Sequence, residues 1–397
     1  MNTTPRTTAS EGDLNAARRP AILSDPRAGA TGREIAHQPT MWRRVATDIT
    51  ARTAELQKFL GPLLALDDLR IVLTGAGTSA FVGDILAPAL TRQLHRRVDA
   101  VPTTDIVSNP QETFAEDLPT LVISFARSGD SPESVAATDL ADQSLSSVHH
   151  IIVTCNPDGA LARDRGTDDH SLVLLMPPET NDEGFAMTSS FTSMVLATWL
   201  VLNAGTQDLT MVERVAAAGE AVLGERADAV ADLASRGYER VVYLGSGSLT
   251  GLAHESALKV LELSAGRVVS YFDSSLGFRH GPKSVLDGAS LVIVYLSTDP
   301  YTRQYDEDIA IELAHQMGKE NVIVLGSRPS ERIDSAWTLP GLDDAPDVLV
   351  GLPFVFVAQL FALDTSLSLG LTPDSPSPSG RVNRVVKGVT VHPYDGR

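Results

Sequence analysis

Apolar residues in this chain fall into short continuous runs, separated by small polar loops and by longer stretches of helical spacing. After Pro39 the apolar positions Met41, Trp42, Val45, Ile49 and Leu56 recur at roughly helical intervals, with Ile35 ahead of them, so a helical segment is expected within Glu34 to Leu60. Next comes the strand-like run Leu69 to Thr74, then the loop Gly75-Ala-Gly-Thr-Ser-Ala80, then a helix-like stretch to about His95. Leu121 to Phe125 and His150 to Thr154 repeat this succession of strand, polar loop and helix. Leu172 to Met176 reads as a fourth strand and Ala186 to Asn203 as a long buried helix. Strands that alternate with helices predict a parallel sheet covered on both faces.

The pattern then starts again. Tyr238 to Gly251 matches Leu69 to Gly83 in order and spacing, Leu291 to Leu296 corresponds to Leu121 to Phe125, and Asn321 to Leu325 to His150 to Thr154. A duplicated α/β unit is therefore expected: two tandem parallel sheets flanked by helices. Val212 to Ser235, Ala-rich and amphipathic, is the expected link between them. The longest apolar run, Val348 to Leu363, is interrupted by Pro353 and Gln359 and falls short of the roughly 20 residues that span a membrane. It reads as a buried helix. The Pro/Ser stretch Thr372 to Gly380 should be a stiff connector. These signals divide the chain into a flexible tail (1–33), a first domain with its leading helix (34–207), a second domain (208–372) and a C-terminal tail (373–397).

Composition narrows the class of function. At 397 residues the chain is long enough for two domains, and its 43% hydrophobic and 21% charged content is globular. A net charge of −18 argues against nucleic acid as a partner and makes any anion site a local construction. The single cysteine, Cys155, excludes a disulfide framework and a multi-cysteine metal site, and fits a cytoplasmic protein. No metal and no cofactor is expected: the nine histidines lack zinc-ligand spacing, and His149-His150 adjoins a strand and reads as structural.

Candidate chemistry centres on two segments. In the first half, the strand Leu121 to Phe125 runs into Ser128-Gly129-Asp130-Ser131, with Pro132 at the first turn of the following helix. A helix starting there aims unpaired N–H groups and its positive dipole end at the loop, where the two serines add hydroxyl donors; phosphate is the natural guest. Simple helix capping by the serines is the ordinary alternative. The corresponding stretch of the second half, Ser297-Thr-Asp-Pro-Tyr301, lacks the motif, and neither glycine loop completes the Gly-x-Gly-x-x-Gly spacing of a dinucleotide site. In the second half, Glu255, Lys259 and Glu262 are spaced by four and three residues and share one helix face. Spacing alone would make them an exposed ion pair.

Taken together, the Gly-x-Gly-Thr-Ser loop, Glu34-Ile-Ala-His-Gln-Pro-Thr-Met-Trp42, Ile123 to Ser134, Gly184-Phe-Ala-Met-Thr-Ser-Ser-Phe191 and Phe278-Arg-His-Gly-Pro282 resemble the sugar isomerase (SIS) domains that bind phosphosugars. Within that family they are most similar to the tagatose-6-phosphate ketose/aldose isomerase and galactosamine-6-phosphate deaminase group. The resemblance implies a flavodoxin-like sheet in each half. It also implies a sugar-phosphate substrate bound by Thr78, Ser79, Arg127, Ser128, Gly129, Ser131, Asn156 and Ser189. Ala126 departs from the serine that many such domains carry, and Arg127 would compensate. By the same resemblance, Glu262 moves a proton between C1 and C2 of the open-chain sugar, with Lys259 in the same site. His280 helps to open the ring from a neighbouring subunit, which implies a homodimer, and Lys387 of the C-terminal tail lies over the sugar.

The function so implied is conversion of a hexosamine 6-phosphate to a ketohexose 6-phosphate and ammonia. A phosphosugar-binding regulator and a plain ketose/aldose isomerase are the alternatives. An amidotransferase is not expected, because residue 2 is Asn, the only cysteine is Cys155, and residues 1–33 leave no room for a glutaminase domain.

Overall fold

The computed structural model describes residues 25–205, 208–339, 341–377, 384 and 388–395. The first half runs α1 (Gly29–Ala51), α2 (Thr53–Leu64), β1 (Arg70–Thr74), α3 (Thr78–Leu94), β2 (Val98–Ala100), α4 (Thr103–Ser108), α5 (Pro110–Thr113), β3 (Thr120–Ala126), α6 (Pro132–Ser144), β4 (Val148–Thr154), α7 (Ala160–Arg165), β5 (Ser171–Leu175) and α8 (Ser189–Leu202). After α9 (Leu209–Glu225) and α10 (Ala227–Ser235) come β6 (Arg240–Leu244), α11 (Ser248–Leu263), β7 (Val269–Asp273), β8 (Ser290–Tyr295), α12 (Pro300–Met317), β9 (Val322–Gly326), β10 (Trp337–Thr338) and α13 (Asp347–Ser368).

Both sheets are parallel and five-stranded, in the orders β2-β1-β3-β4-β5 and β7-β6-β8-β9-β10. This is one topology used twice, the flavodoxin-like order. Equivalent elements begin 170 residues apart: β1 at Arg70 and β6 at Arg240, α3 at Thr78 and α11 at Ser248, β3 at Thr120 and β8 at Ser290. The middle strands β3 and β8 are buried along their whole length because helices cover both faces, so their sequences read as near-continuous apolar runs. The edge strands β2, β7 and β10 carry no such run, and the pattern did not reveal them.

A large shared core joins the halves. It is built around α13, which packs against α9, α10 and α11, while α3 crosses α11. The crossing is close at Gly251, where any side chain would meet the backbone of Asp84 and Ile85 at 2.8 Å. That approach sets Thr78 on α3 beside the middle of α11.

Three expectations need correction. The apolar run at 348–363 is part of a 22-residue helix, because Pro353 sits inside α13 without ending it. On length and apolar composition alone α13 could cross a membrane, but its most apolar window is wholly buried in the protein. The link between the halves is two helices, broken at Arg226. At the N-terminus, residues 1–24 lie outside the described residues, whereas Pro26–Ala28 form a 3-10 turn and α1 starts at Gly29, before any apolar period is visible. Its first turn is held from far along the chain: the amides of Ala30 and Thr31 and the Thr31 hydroxyl all donate to Asp374 at 2.8 Å.

Candidate functional site

A cavity of about 230 Å³ opens where the carboxyl ends of β1 and β3 face α11, lined by Thr78, Ser79, Arg127, Ser128, Ser131 and Glu262 together with Arg384. The turns that build it need glycine. Gly77 precedes α3 with φ +57°, and Gly75 lies so near the backbone of Ser79 that a Cβ would approach it to 2.6 Å. Gly129 takes φ +71° between the two loop serines.

The Ser128–Ser131 loop is braced from outside the cavity. Asn156 Nδ2 donates to the Ser128 carbonyl at 2.9 Å, and Asp130 accepts from the amide of Ala160 at 2.9 Å. Ser131 stands at the N-cap of α6, yet its side chain makes no capping bond. A serine kept only as a cap would bond the first-turn amides. Ser131 also lines the cavity. Asn156 is thus a support, not a cavity residue.

Arg127 is no solvated loop arginine. It is 6% exposed and donates to the carbonyl of Arg384 at 2.7 Å and to those of Gly184 and Phe185 at 3.4 Å. Burial, with the nearby Arg384 guanidinium, lowers its pKa. Arg384 in turn donates to Asn181 Oδ1 at 3.1 Å and to the Asp182 carbonyl. Two guanidinium groups therefore sit together at one wall of the cavity, a local positive region in an acidic chain. Arg384 went unrecognised in the sequence, where Lys387 drew the attention; Lys387 lies outside the described residues. The only cue to Arg384 was its place just ahead of the Val385-Val-Lys387 tail.

At the opposite wall stands α11. Lys259 is fully buried, and its Nζ donates to Glu262 Oε2 at 2.6 Å and to Thr78 Oγ1 at 2.9 Å, with Glu255 Oε1 at 3.3 Å. The exposed ion pair suggested by spacing is thus a buried cluster, because α3 covers this face of α11. Burial opposes the charge on Lys259, but the carboxylates of Glu255 and Glu262 more than offset it and raise its pKa. Glu255 is wholly buried, and burial pushes it up to about 8. Glu262 alone of the three reaches the cavity, with its side chain 23% exposed. Thr78 also lines the cavity, but its oxygen is committed to Lys259.

Two predicted residues are elsewhere. Ser189 is fully buried, its amide donating to Asp182 Oδ1 at 3.0 Å at the start of α8. His280 is exposed on the loop after β7 and does not line this cavity of its own chain. His150, 1% exposed, bonds Asp142 at 2.9 Å through Nε2 where β4 begins, as a structural histidine would.

The motifs at 34–42 and 184–191 prove to be one brace. Glu34 accepts the amides of Glu183 and Gly184, and Gly184 has no room for a side chain, since a Cβ would meet Thr31 Oγ1 at 2.5 Å. Thr192 links Gln38 Oε1 at 2.7 Å to Trp42 Nε1 at 3.0 Å. This brace fixes the carbonyls of Gly184 and Phe185 that hold Arg127. Burial, then the neighbouring Asp182, pushes Glu34 up to about 7. A raised carboxylate pKa means that its contribution to stability is full below the unfolded value of 4.5 and is lost as pH rises through 7. Glu34→Gln is expected to flatten the fall in stability over that window in chemical denaturation; an unchanged pH profile would contradict this.

Comparison with known proteins follows the same lines. The SIS domain family model matches residues 64–204. A Streptomyces coelicolor protein named as a candidate D-galactosamine-6-phosphate deaminase, AgaS, is 55% identical over 372 residues, which are 93% of this chain and 96% of that protein. The D-galactosamine-6-phosphate deaminase AgaS of Escherichia coli is 47% identical over 378 residues, covering 93% and 98%. The crystal structure of tagatose-6-phosphate ketose/aldose isomerase from Escherichia coli superposes with a TM-score of 0.86 at 42% identity, over 96% of this chain and 100% of that one.

Proposed function

We propose that this chain, which belongs to the SIS-domain family and within it to the AgaS group, converts D-galactosamine 6-phosphate to a ketohexose 6-phosphate and ammonia. The observation that carries this is a single cavity with an anion cradle at one end, Ser128, Ser131 and Arg127, and a carboxylate, Glu262, held 2.6 Å from a buried lysine at the other.

The phosphate is held by the two serine hydroxyls, the start of α6 and the Arg127–Arg384 wall. This leaves C1 and C2 of the open-chain sugar toward α11. Glu262 takes the proton from C2, acidified by the C1 aldehyde, to give an enolamine; return of a proton to C1 gives the 2-imino ketose. Water adds to the imine carbon and ammonia leaves, so one hexosamine phosphate and one water yield one ketose phosphate and one ammonia. A sensor that only bound the sugar would have no use for a carboxylate poised on C2. Assays of ammonia and ketose across a panel of hexosamine 6-phosphates test the reading: stoichiometric release from galactosamine 6-phosphate supports it, and ketose formed from an aldose phosphate without ammonia release from any amino sugar points to plain isomerisation.

Ring opening needs an acid or base at the ring oxygen, and we assign it to His280 of a second copy of the chain. His280 is exposed and outside its own cavity, and Leu276 on the same loop is an exposed apolar side chain. Inactive Glu262→Gln and His280→Asn chains are expected to regain activity when mixed, because one site of each mixed dimer is then whole. A mixture that stays inactive would return His280 to its own chain.

A further inference from the structure

The duplication places a second cavity, of about 310 Å³, at the mirrored position, where the loops after β6 and β8 face α3. Several of its residues occupy positions equivalent to those of the first site at the 170-residue offset. Ser248 stands for Thr78, Thr298 for Ser128, Asp299 for Gly129, and Arg92 of α3 for Glu262 of α11. The charges are thereby exchanged: the carboxylate lies at the loop end and the cation at the helix end.

No phosphate can use this loop, because the chain already supplies an anion to its donors. Asp347 accepts from Ser297 Oγ at 2.6 Å, Thr298 N at 2.6 Å and Thr298 Oγ1 at 2.8 Å. Asp299 caps α12 with Oδ1, accepting from the amides of Tyr301 and Thr302. Other groups are left for a ligand. Asp299 Oδ2 is 3.5 Å from Arg92 in an exposed pair of little strength, the Thr302 hydroxyl also bonding this carboxylate. The Ser248 hydroxyl lines the cavity on a residue 5% exposed and has no hydrogen-bond partner among the described residues. Trp199 and Pro88 form an apolar wall. An occupant that suits these groups carries a cation for Asp299, hydroxyls for Ser248 and Gln93, and a flat carbon face for Trp199.

We propose that this cavity is a second, non-catalytic site for an unphosphorylated amino sugar, a primary ammonium on a polyhydroxylated ring. It would let the protein respond to the amine before a phosphate is attached. The proposal rests on the geometry of this cavity and not on the reaction assigned to the first.

Calorimetric titration of the full chain with free galactosamine, and with galactose as the control lacking the ammonium, tests it. Galactosamine should bind once per chain and galactose at least about fivefold more weakly, the loss of one exposed charge-assisted contact. Asp299→Asn, which keeps a good N-cap for α12, should weaken galactosamine to the same degree, as should Trp199→Leu. Arg127→Met should leave binding unchanged. Absence of binding, equal affinity in Asp299→Asn, or loss of binding in Arg127→Met would overturn the proposal, the last by placing the ligand in the catalytic cavity. Since the readout is binding, an error in the assigned reaction leaves this result intact.

Discussion

Replacing Glu262 by glutamine is expected to lower kcat about 10³-fold or more, the scale of losing a general base, while binding of the phosphosugar stays within a few-fold. The asymmetry follows from the layout of the cavity. The groups proposed to hold the phosphate, Ser128, Ser131 and the Arg127–Arg384 wall, all lie on the first half or the tail, whereas Glu262 reaches the same space from α11. Glutamine keeps the volume of the side chain and can still accept from Lys259, so the helix and cavity persist. What it cannot do is take a proton from C2. Kinetics combined with binding to the inactive variant separate the two effects. Turnover near that of the parent would remove Glu262 from the chemistry.

Lys259→Met is expected to cost about 3 kcal/mol of stability, as breaking a buried ion cluster does, and to reduce turnover severely. Lys259 is fully buried between Glu255, Glu262 and Thr78. Methionine fills the space but donates nothing. Glu255 is then a buried carboxyl with no cation beside it, and its pKa, already pushed up to about 8, rises further, so that it keeps its proton at neutral pH. That proton moderates the stability loss, but Glu262 still loses its 2.6 Å orienting contact. Urea denaturation and steady-state kinetics check both parts. Parental stability together with parental kcat would show that the lysine neither holds the cluster nor aims the base.

The sequence made the repeated architecture legible because buried parallel strands such as Leu121 to Phe125 and Leu291 to Leu296 are near-continuous apolar runs, and the loops after β1 and β6 carry glycines at matched spacing. It concealed the edge strands β2, β7 and β10, which are only partly covered, β2 and β10 being short as well. The Ser128–Ser131 loop was visible for a related reason: strand, small residues and proline at a helix start are all local. Long-range features were not. Nothing near Gly29 announces that Asp374 holds the start of α1, and spacing within α11 cannot tell an exposed ion pair from one sealed by α3. Ser189 and Asn156 were placed at the ligand by resemblance alone, whereas their bonds to Asp182 and the Ser128 carbonyl make them supports. Arg384 was missed because its importance comes only from where the tail lands.

Deamination is proposed to proceed through proton removal at C2 by Glu262. The direct measurement uses galactosamine 6-phosphate deuterated at C2, with ammonia assayed and the sugar product followed by NMR. Expected are ammonia and ketose in equal amounts, slower release from the deuterated sugar, at least part of the deuterium lost to water and the rest carried to C1, and about 10³-fold less of all of this with Glu262→Gln. Ammonia released equally fast from labelled and unlabelled sugar, or deuterium carried to C1 without any loss to water, would contradict it.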